Sequence, residues 1–229
     1  CSCCREICFI ITTSDAQANI SKTYFPTTRT HVVEPSIKNM FRDTDKPRKL
    51  IVNIVAKDQT DVNKIIKPFY WKYPMYQWIS FRDLRGLTQE TFCEALREAA
   101  ITIWVDNTTY FGYSALEAMR CGSIVLAKIP DTLTDWNVDG DDLTDACIWF
   151  DNLGSVVDML PSIIRSWTLD KIPEKVYTNL KKLNDRYTED IQKNEIEAVY
   201  VNGIFGQRLN DFKEVLLQIK NNQIDITNE

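Results

Sequence analysis

The stretch ITIWVDNTTYFGYSALEAMRCGSIVLAK, which runs from Ile101 to Lys128, decides the fold class. It opens with an apolar run of strand length, Ile101–Val105, and crosses a polar loop into a helix-forming run, Ser114–Cys121. Gly122 is placed to end that helix, and a second apolar run, Ser123–Lys128, follows it. Strand, helix and strand in this order predict a parallel βαβ unit.

The same alternation continues on both sides of this unit. Apolar runs of strand length lie at Leu50–Lys57, Gln77–Phe81 and Ala146–Phe150. A helix is predicted over about residues 59–70, and another begins at Thr88, whose hydroxyl suits an N-cap. The pattern predicts an α/β fold with a Rossmann-like, doubly wound parallel sheet.

Three segments follow from this pattern. Residues 46–170 are predicted to form the sheet domain, and residues 171–229 a set of C-terminal helices. Residues 1–45 are predicted to be the end of a preceding domain and a linker, because they hold only a partial βαβ segment and then a charged stretch. The predicted elements of that segment are a strand at Ile7–Ser14, a helix at Asp15–Phe25, a strand at Thr30–Ser36 and the charged linker at Arg42–Lys49. A βαβ segment cannot supply a sheet of its own, so the chain is expected to begin partway through a longer protein.

Composition and charge narrow the class of protein. The 229 residues are 44% hydrophobic and 26% charged, as in ordinary globular domains. The net charge of −5 gives the chain no electrostatic reason to bind nucleic acid. No apolar run approaches the roughly 20 residues that span a bilayer, so no transmembrane segment is expected.

The seven cysteines are an odd number and are scattered through predicted core segments. This usage favours reduced thiols in a cytoplasmic protein over a disulfide framework. Cys1, Cys3, Cys4 and Cys8 cluster at the start, with a C-x-x-C spacing that zinc sites use. The only histidine, His31, lies in an apolar run, so we expect a cysteine-rich stub and no metal.

The loop from Asp106 to Gly112 is the candidate functional site. In open parallel sheets, ligands bind beyond the carboxyl ends of the strands, and this loop follows the strand Ile101–Val105. Gly112 permits close backbone approach, and the helix beginning near Ser114 presents its positive end to an anion. The sequence therefore predicts a phosphate site with a polar wall.

Thr109–Lys128 resembles the signature segment of the group 1 glycosyltransferases, which have the GT-B fold of two Rossmann-like domains. That signature has one glutamate before Phe-Gly and a second in a Leu-Glu-Ala-Met run, with seven residues between them. The resemblance covers about residues 50–170 well and implies the C-terminal, donor-binding half of such an enzyme. The opening forty residues match the end of the acceptor domain and the interdomain linker more loosely.

The resemblance implies roles for several residues of the loop and helix. Glu117 is the glutamate that would hold the ribose hydroxyls of the donor, although its distance from Ser114 also fits a capping box. The backbone around Phe111, Gly112, Tyr113 and Ser114 would meet the donor sugar and its diphosphate. Thr109 stands where the family has its first glutamate, so only a hydroxyl would be left there to contact the sugar.

Basic residues at the same edge would neutralise the departing diphosphate. Lys57 follows the first strand of the sheet domain, and Lys64 is a loose second base, away from the family spacing. Arg82 and Arg85 follow the second strand. Such charges would stabilise the leaving group, yet Lys57 also fits a solvated strand end, and the arginines also fit partners of Asp83.

The predicted function is transfer of a hexosyl group from a nucleoside-diphosphate sugar in polysaccharide biosynthesis. The resemblance implies retention of anomeric configuration, no metal and no further cofactor. The acceptor would be a glycan, a lipid-linked molecule or a protein, held by a separate N-terminal acceptor domain. The expected location is the cytoplasm or the inner face of a membrane.

Two alternatives remain beside this enzyme. The first is a nucleotide-sugar-binding module that is non-catalytic or that works with a split partner, which Thr109 favours. The second is an unrelated nucleotide-binding α/β protein, but no G-x-G-x-x-G or P-loop sequence supports it.

Overall fold

The computed structural model describes residues 9–44, 46–107, 111–129, 147–172, 174, 185–201, 210, 213, 214 and 216–218. In chain order the elements are β1 (Phe9–Thr12), α1 (Asp15–Tyr24), β2 (Arg29–Val32), β3 (Lys49–Ala56), α2 (Gln59–Lys72), a 3₁₀ turn (Pro74–Tyr76), β4 (Ser80–Asp83), α3 (Gln89–Glu98), β5 (Ala99–Val105), α4 (Tyr113–Arg120), β6 (Ile124–Lys128), β7 (Ile148–Phe150), α5 (Leu153–Thr168) and α6 (Glu189–Ala198). They form two compact units, one within Ile37–Thr188 and the other within Cys1–Ser36 and Glu189–Glu229.

The larger unit contains a five-stranded sheet in the order β4-β3-β5-β6-β7, with every neighbouring pair parallel. Helices α3 and α4 contribute to the core on one face, and α2 and α5 contribute to the core on the other. The predicted doubly wound parallel sheet is therefore confirmed. The strand order reverses between β3 and β5, which is where such sheets bind ligands.

The burial of the central strand β5 explains why its apolar run could be recognised as a strand in the sequence. All seven of its residues are buried, as expected for a parallel strand covered on both faces. Its buried polar side chain, Thr102, shares a hydrogen bond of 2.8 Å with Ser123. On β3, the Asn53 amide donates to the carbonyl of Ala95 at 2.8 Å.

The segment before β3, which ends in the charged linker Arg42–Lys49, packs more closely than the sequence predicted. Ile37 and Phe41 are buried in the core beside α3 and α4. Arg97 donates through Nε to the carbonyl of Arg42 at 3.0 Å. Arg48 in turn donates to the carbonyl of Arg97 at 2.9 Å and forms an ion pair with Asp43. Arginine-to-carbonyl bonds thus fasten this segment to the helices.

Two predicted boundaries shift. The strand predicted at residues 77–81 is β4, which begins three residues later, because Pro74 opens a 3₁₀ turn. The strand predicted at residues 30–36 is β2, which ends at Val32. Much of the segment 171–229, where C-terminal helices were predicted, lies outside the described residues. So does the whole cysteine cluster at residues 1–8.

The smaller unit joins the beginning of the chain to α6. β1 and β2 pair in parallel, and Ser14 caps the helix between them by accepting from the amide of Gln17. The amide of Glu34 donates to the Glu195 carboxylate at 2.8 Å. The Ser36 hydroxyl and Gln192 are 2.7 Å apart. Helix α6 therefore contacts the segment that follows β2. No local sequence pattern could predict this contact, because the two segments are far apart in the chain.

Candidate functional site

Lys57 and Asp106 meet at the point where the strand order reverses. They follow β3 and β5, whose last residues, Ala56 and Val105, are register partners. Lys57 Nζ lies 3.0 Å from Asp106 Oδ2, with the lysine side chain 70% exposed and the carboxylate 12% exposed. The predicted base, Lys57, therefore lies at the edge of the sheet where ligands bind, and it already pairs with the Asp106 carboxylate.

The helix that follows begins without a side-chain cap. Gly112 is the N-cap of α4 and has φ 70° and ψ 44°, a left-handed conformation that glycine adopts at little cost. Its carbonyl accepts from the amides of Ala115 and Leu116 at 3.0 and 3.3 Å. The amides of Tyr113 and Ser114 donate to no acceptor in the described part of the chain. Within the described ranges, these two backbone donors at the positive end of the helix have no partner and suit a ligand.

Glu117 lies one turn into α4 and is half-buried. Its carboxylate forms no hydrogen bond or ion pair with any residue that the structure describes. Burial raises the pKa of Glu117 to about 7, and the positive charge of Lys38 opposes this shift. The capping box with Ser114 does not form, because Ser114 lies inside the helix and Gly112 is the N-cap.

Two aromatic residues flank Gly112 at the start of the helix. Phe111 is buried, and its ring packs edge-on against those of Tyr113 and Tyr187 at centroid distances of 4.6 and 5.3 Å. Tyr113 is half-exposed, and burial together with the charge of Glu117 raises the pKa of its phenol. Phe111 therefore anchors the start of α4 in the core, while Tyr113 stays accessible beside Glu117.

The two predicted arginines lie in different places. Arg85 pairs with Asp83, with Nε–Oδ1 and Nη2–Oδ2 distances of 3.0 and 2.6 Å. It also contacts Gln59, the first residue of α2, so it stands where β3 and β4 end. Arg82 instead pairs with Glu98 at 2.8 Å, and Glu98 also binds Lys49, the first residue of β3. The guanidinium of Arg82 therefore lies toward the amino ends of the strands.

The remaining predicted residues add little to the candidate site. Lys64 pairs with Asp61 at 3.4 Å on the exposed surface of α2. Thr109 lies outside the described residues. Within the described ranges, no three histidine, cysteine, aspartate or glutamate side chains are grouped as metal ligands. No helix of those ranges is long and apolar enough to cross a bilayer.

Sequence reasoning missed two charged residues of the site. Asp106 was part of the predicted loop but had no assigned role, and its pairing with Lys57 depends on the order of strands. Lys38 was missed altogether, since it lies in the segment before β3 and carries no local signal. Its ammonium group binds Gln89 at 2.7 Å and acts on Glu117.

Comparison with known proteins gives one curated relative and many solved structures. An alpha-1,6-glucosyltransferase from Actinobacillus pleuropneumoniae serotype 7 is 22% identical over 184 residues, which are 75% of this chain and 52% of the relative. The chain thus spans about half the length of this relative. No protein-family model matches the chain.

The solved structures share the fold at low sequence identity. A TarM mutant of S. aureus has a TM-score of 0.63 at 12% identity, covering 84% of this chain and 43% of that one. WaaG, a glycosyltransferase involved in lipopolysaccharide biosynthesis, has a TM-score of 0.56 at 12% identity, covering 84% and 62%. The pneumococcal O-GlcNAc transferase GtfA has a TM-score of 0.56 at 11% identity, covering 84% and 45%. The resemblance found in the sequence is confirmed, and the chain has the fold of the GT-B glycosyltransferases.

Proposed function

We propose that this chain binds a nucleoside-diphosphate sugar and serves as the donor half of a glycosyltransferase. The observation that carries this proposal is the combination at α4. The amides of Tyr113 and Ser114, which donate to no described residue, stand at the positive end of the helix. The carboxylate of Glu117, which bonds no described residue, lies one turn away. Amides at a helix start suit a diphosphate, and a carboxylate suits two ribose hydroxyls.

Two basic side chains near the helix would stabilise the negative charge that develops in the transfer step. In the proposed complex, Lys57 leaves Asp106 and turns to the diphosphate, and Arg85 supplies a second charge at the same edge of the sheet. Positive charge at this place stabilises the nucleoside diphosphate as it departs. Protein groups would then replace a metal ion, and the anomeric configuration would be retained, as the group 1 resemblance implies.

Uridine diphosphate is the first nucleotide to test. The TarM mutant is in complex with fondaparinux, alpha-GlcNAc-glycerol and UDP, and GtfA is in complex with UDP and GlcNAc. The curated relative is a glucosyltransferase, which supports a hexose as the transferred sugar. We propose a glycan, lipid-linked or protein acceptor, bound with the help of a separate acceptor domain, at the cytoplasmic face of a membrane.

Thermal unfolding of the full chain with UDP, GDP and ADP tests the donor site. A ligand at about one hundred times its Kd should raise the Tm by roughly 5–10 °C for a chain of this size. Glu117→Ala should abolish the shift. Glu94→Ala is the matched control, because Glu94 is an exposed glutamate on the adjacent helix α3. Absence of a shift with all three nucleotides contradicts the proposal.

A binding module without turnover is the second candidate, and it is favoured by Thr109, which stands at the position of a family glutamate. Hydrolysis of UDP-glucose or UDP-GlcNAc separates the two functions. Release of UDP from either donor, lost in Lys57→Gln and retained in Glu94→Ala, supports the enzyme. Tight binding of the intact donor without any release supports the module.

A further inference from the structure

A second surface lies at the edge of the sheet opposite to the donor site. α2 ends at Lys72 and leads through the 3₁₀ turn to the start of β4, so this corner of the unit is at the amino ends of the strands. α5 follows β7 and also ends here. Large apolar side chains are exposed at this edge, and we call them the amino-edge surface: Trp71, Met75, Trp78 and Leu169.

The exposure of these side chains is unusual for their size. Trp71 is 86% exposed and Trp78 is 61% exposed. The core does not need them, since α2 already buries Val62, Ile65 and Phe69 on its opposite face. Trp78 and Leu169 line one groove, and Trp71 and Met75 belong to the end of α2 and the 3₁₀ turn that lead to it. Exposed apolar side chains at one edge of a domain mark interaction sites.

A groove of about 360 Å³ opens within the amino-edge surface. Tyr76 and Trp78 form one wall, with ring centroids 6.3 Å apart and planes inclined by 30°. The other wall is the end of α5, including Arg165 and Leu169. The Thr168 hydroxyl in this wall is already used, because it donates to the carbonyl of Ile164 at 2.7 Å.

Basic residues lie close in sequence to the apolar ones. Lys67 precedes Trp71 by one helical turn, Arg165 lines the groove, and Lys171 follows Leu169. None of these three forms an ion pair with a residue in the described ranges. Asp158 pairs with Lys72, and Glu98 pairs with Arg82 and Lys49. The other acidic residues near Lys171 in sequence are Asp170 and Glu174. Positive charge is therefore available at this edge although the chain carries −5 overall.

We propose that the amino-edge surface binds the headgroup region of an anionic lipid bilayer. Tryptophan rings prefer this region, and lysine and arginine bind the lipid phosphates. Met75 and Leu169 add aliphatic groups that enter the upper acyl layer. The groove also offers a glycan the aromatic faces and hydrogen-bonding groups of Tyr76 and Trp78. The basic side chains along this edge favour the anionic bilayer instead.

This orientation rests on the proposed location at a membrane face and names the surface involved, but it does not depend on donor binding. The carboxyl edge with Glu117 and the amino-edge surface lie at opposite ends of the same strands. A bilayer at the amino edge therefore leaves the donor site open to nucleotides from solution.

Cosedimentation of the full chain with vesicles tests the proposal. We expect binding to vesicles of equal parts phosphatidylcholine and phosphatidylglycerol, and none to phosphatidylcholine alone. Trp71→Ala with Trp78→Ala should weaken binding by about tenfold or more, because apolar burial is lost. Lys67→Gln and Arg165→Gln should each weaken it by about fivefold. Tyr24→Ala, at a tyrosine that is 74% exposed in the smaller unit, should change nothing.

Three outcomes overturn the proposal. The first is no binding to the anionic vesicles, and the second is binding that the double tryptophan variant retains in full. The third is a change of sedimentation coefficient between the wild type and that variant without lipid, which would assign the surface to a second copy of the chain. The Tm of each variant shows whether it is folded, and a UDP-induced rise of that Tm reports separately on the donor site.

Discussion

Glu117 carries an unfavourable charge that a purely structural residue would not need. Burial raises its pKa from 4.5 to about 7, so folding loses stability as pH rises from about 4.5 through about 7 and the carboxylate ionises. Glu117→Gln should therefore increase the free energy of unfolding by up to about 3 kcal/mol above pH 7, with no gain below pH 4.5. Urea unfolding across this pH range measures the difference.

The same variant should lose nucleotide binding, because a neutral amide cannot accept both ribose hydroxyls as a carboxylate does. A gain in stability that comes with a loss of binding is the expected sign of a residue kept for a ligand. Glu94→Gln, on the exposed face of α3, should alter neither quantity. Unchanged stability at every pH would show that Glu117 is hydrated and is not held in a desolvated cleft.

The ion pair of Lys57 and Asp106 gives a second prediction at this scale. Lys57→Gln should weaken UDP binding by about fivefold, since it removes a charge-assisted contact worth about 1 kcal/mol. Asp106→Asn should strengthen it and make it more sensitive to salt, because the variant removes the Asp106 carboxylate that competes with the diphosphate for Lys57. Isothermal titration calorimetry at two salt concentrations measures both. Equal weakening by the two variants would mean that the pair acts as a structural unit.

The turn between α4 and β6 gives a prediction about elements. Gly122 has φ 82°, and a Cβ there would overlap the Arg48 guanidinium and the Asp43 carboxylate, which fasten the linker. Gly86 has a similar φ of 71°, but a Cβ there would meet no other atom. Gly86→Ala therefore measures the cost of the backbone conformation alone. Gly86→Ala should cost about 1 kcal/mol, and Gly122→Ala about 1–3 kcal/mol more. Equal losses in urea unfolding would mean that the linker gives way freely.

The elements also show which parts of the fold the sequence could predict. β5 is fully buried and reads as one apolar run, and Thr88 caps α3 by accepting from the amide of Thr91 at 3.3 Å. Both signals are local. The burial of Phe41 and the contact of α6 with the segment after β2 depend on residues far apart in sequence, so no local pattern predicted them.

The same distinction holds for the site. Gly112 and Glu117 were predicted because they belong to one continuous motif. The Lys57–Asp106 pair arises only once β3 and β5 are neighbours, which requires the strand order. Arg82 and Arg85 are three residues apart, yet one guanidinium points toward the amino ends of the strands and the other lies where the strands end. Loop position alone did not distinguish them.

For the whole molecule, the division into two units predicts where a nucleotide acts. Every described residue of the candidate site belongs to the unit within Ile37–Thr188. UDP should therefore slow amide hydrogen exchange in α4 and at the ends of β3 and β5, because ligand binding suppresses local opening there. Exchange in β1, α1 and α6 should stay the same. Hydrogen exchange with mass spectrometry, with Glu117→Ala as the non-binding control, measures both units in one experiment. Protection that spreads equally into the smaller unit would mean that the two units respond to the nucleotide as one body.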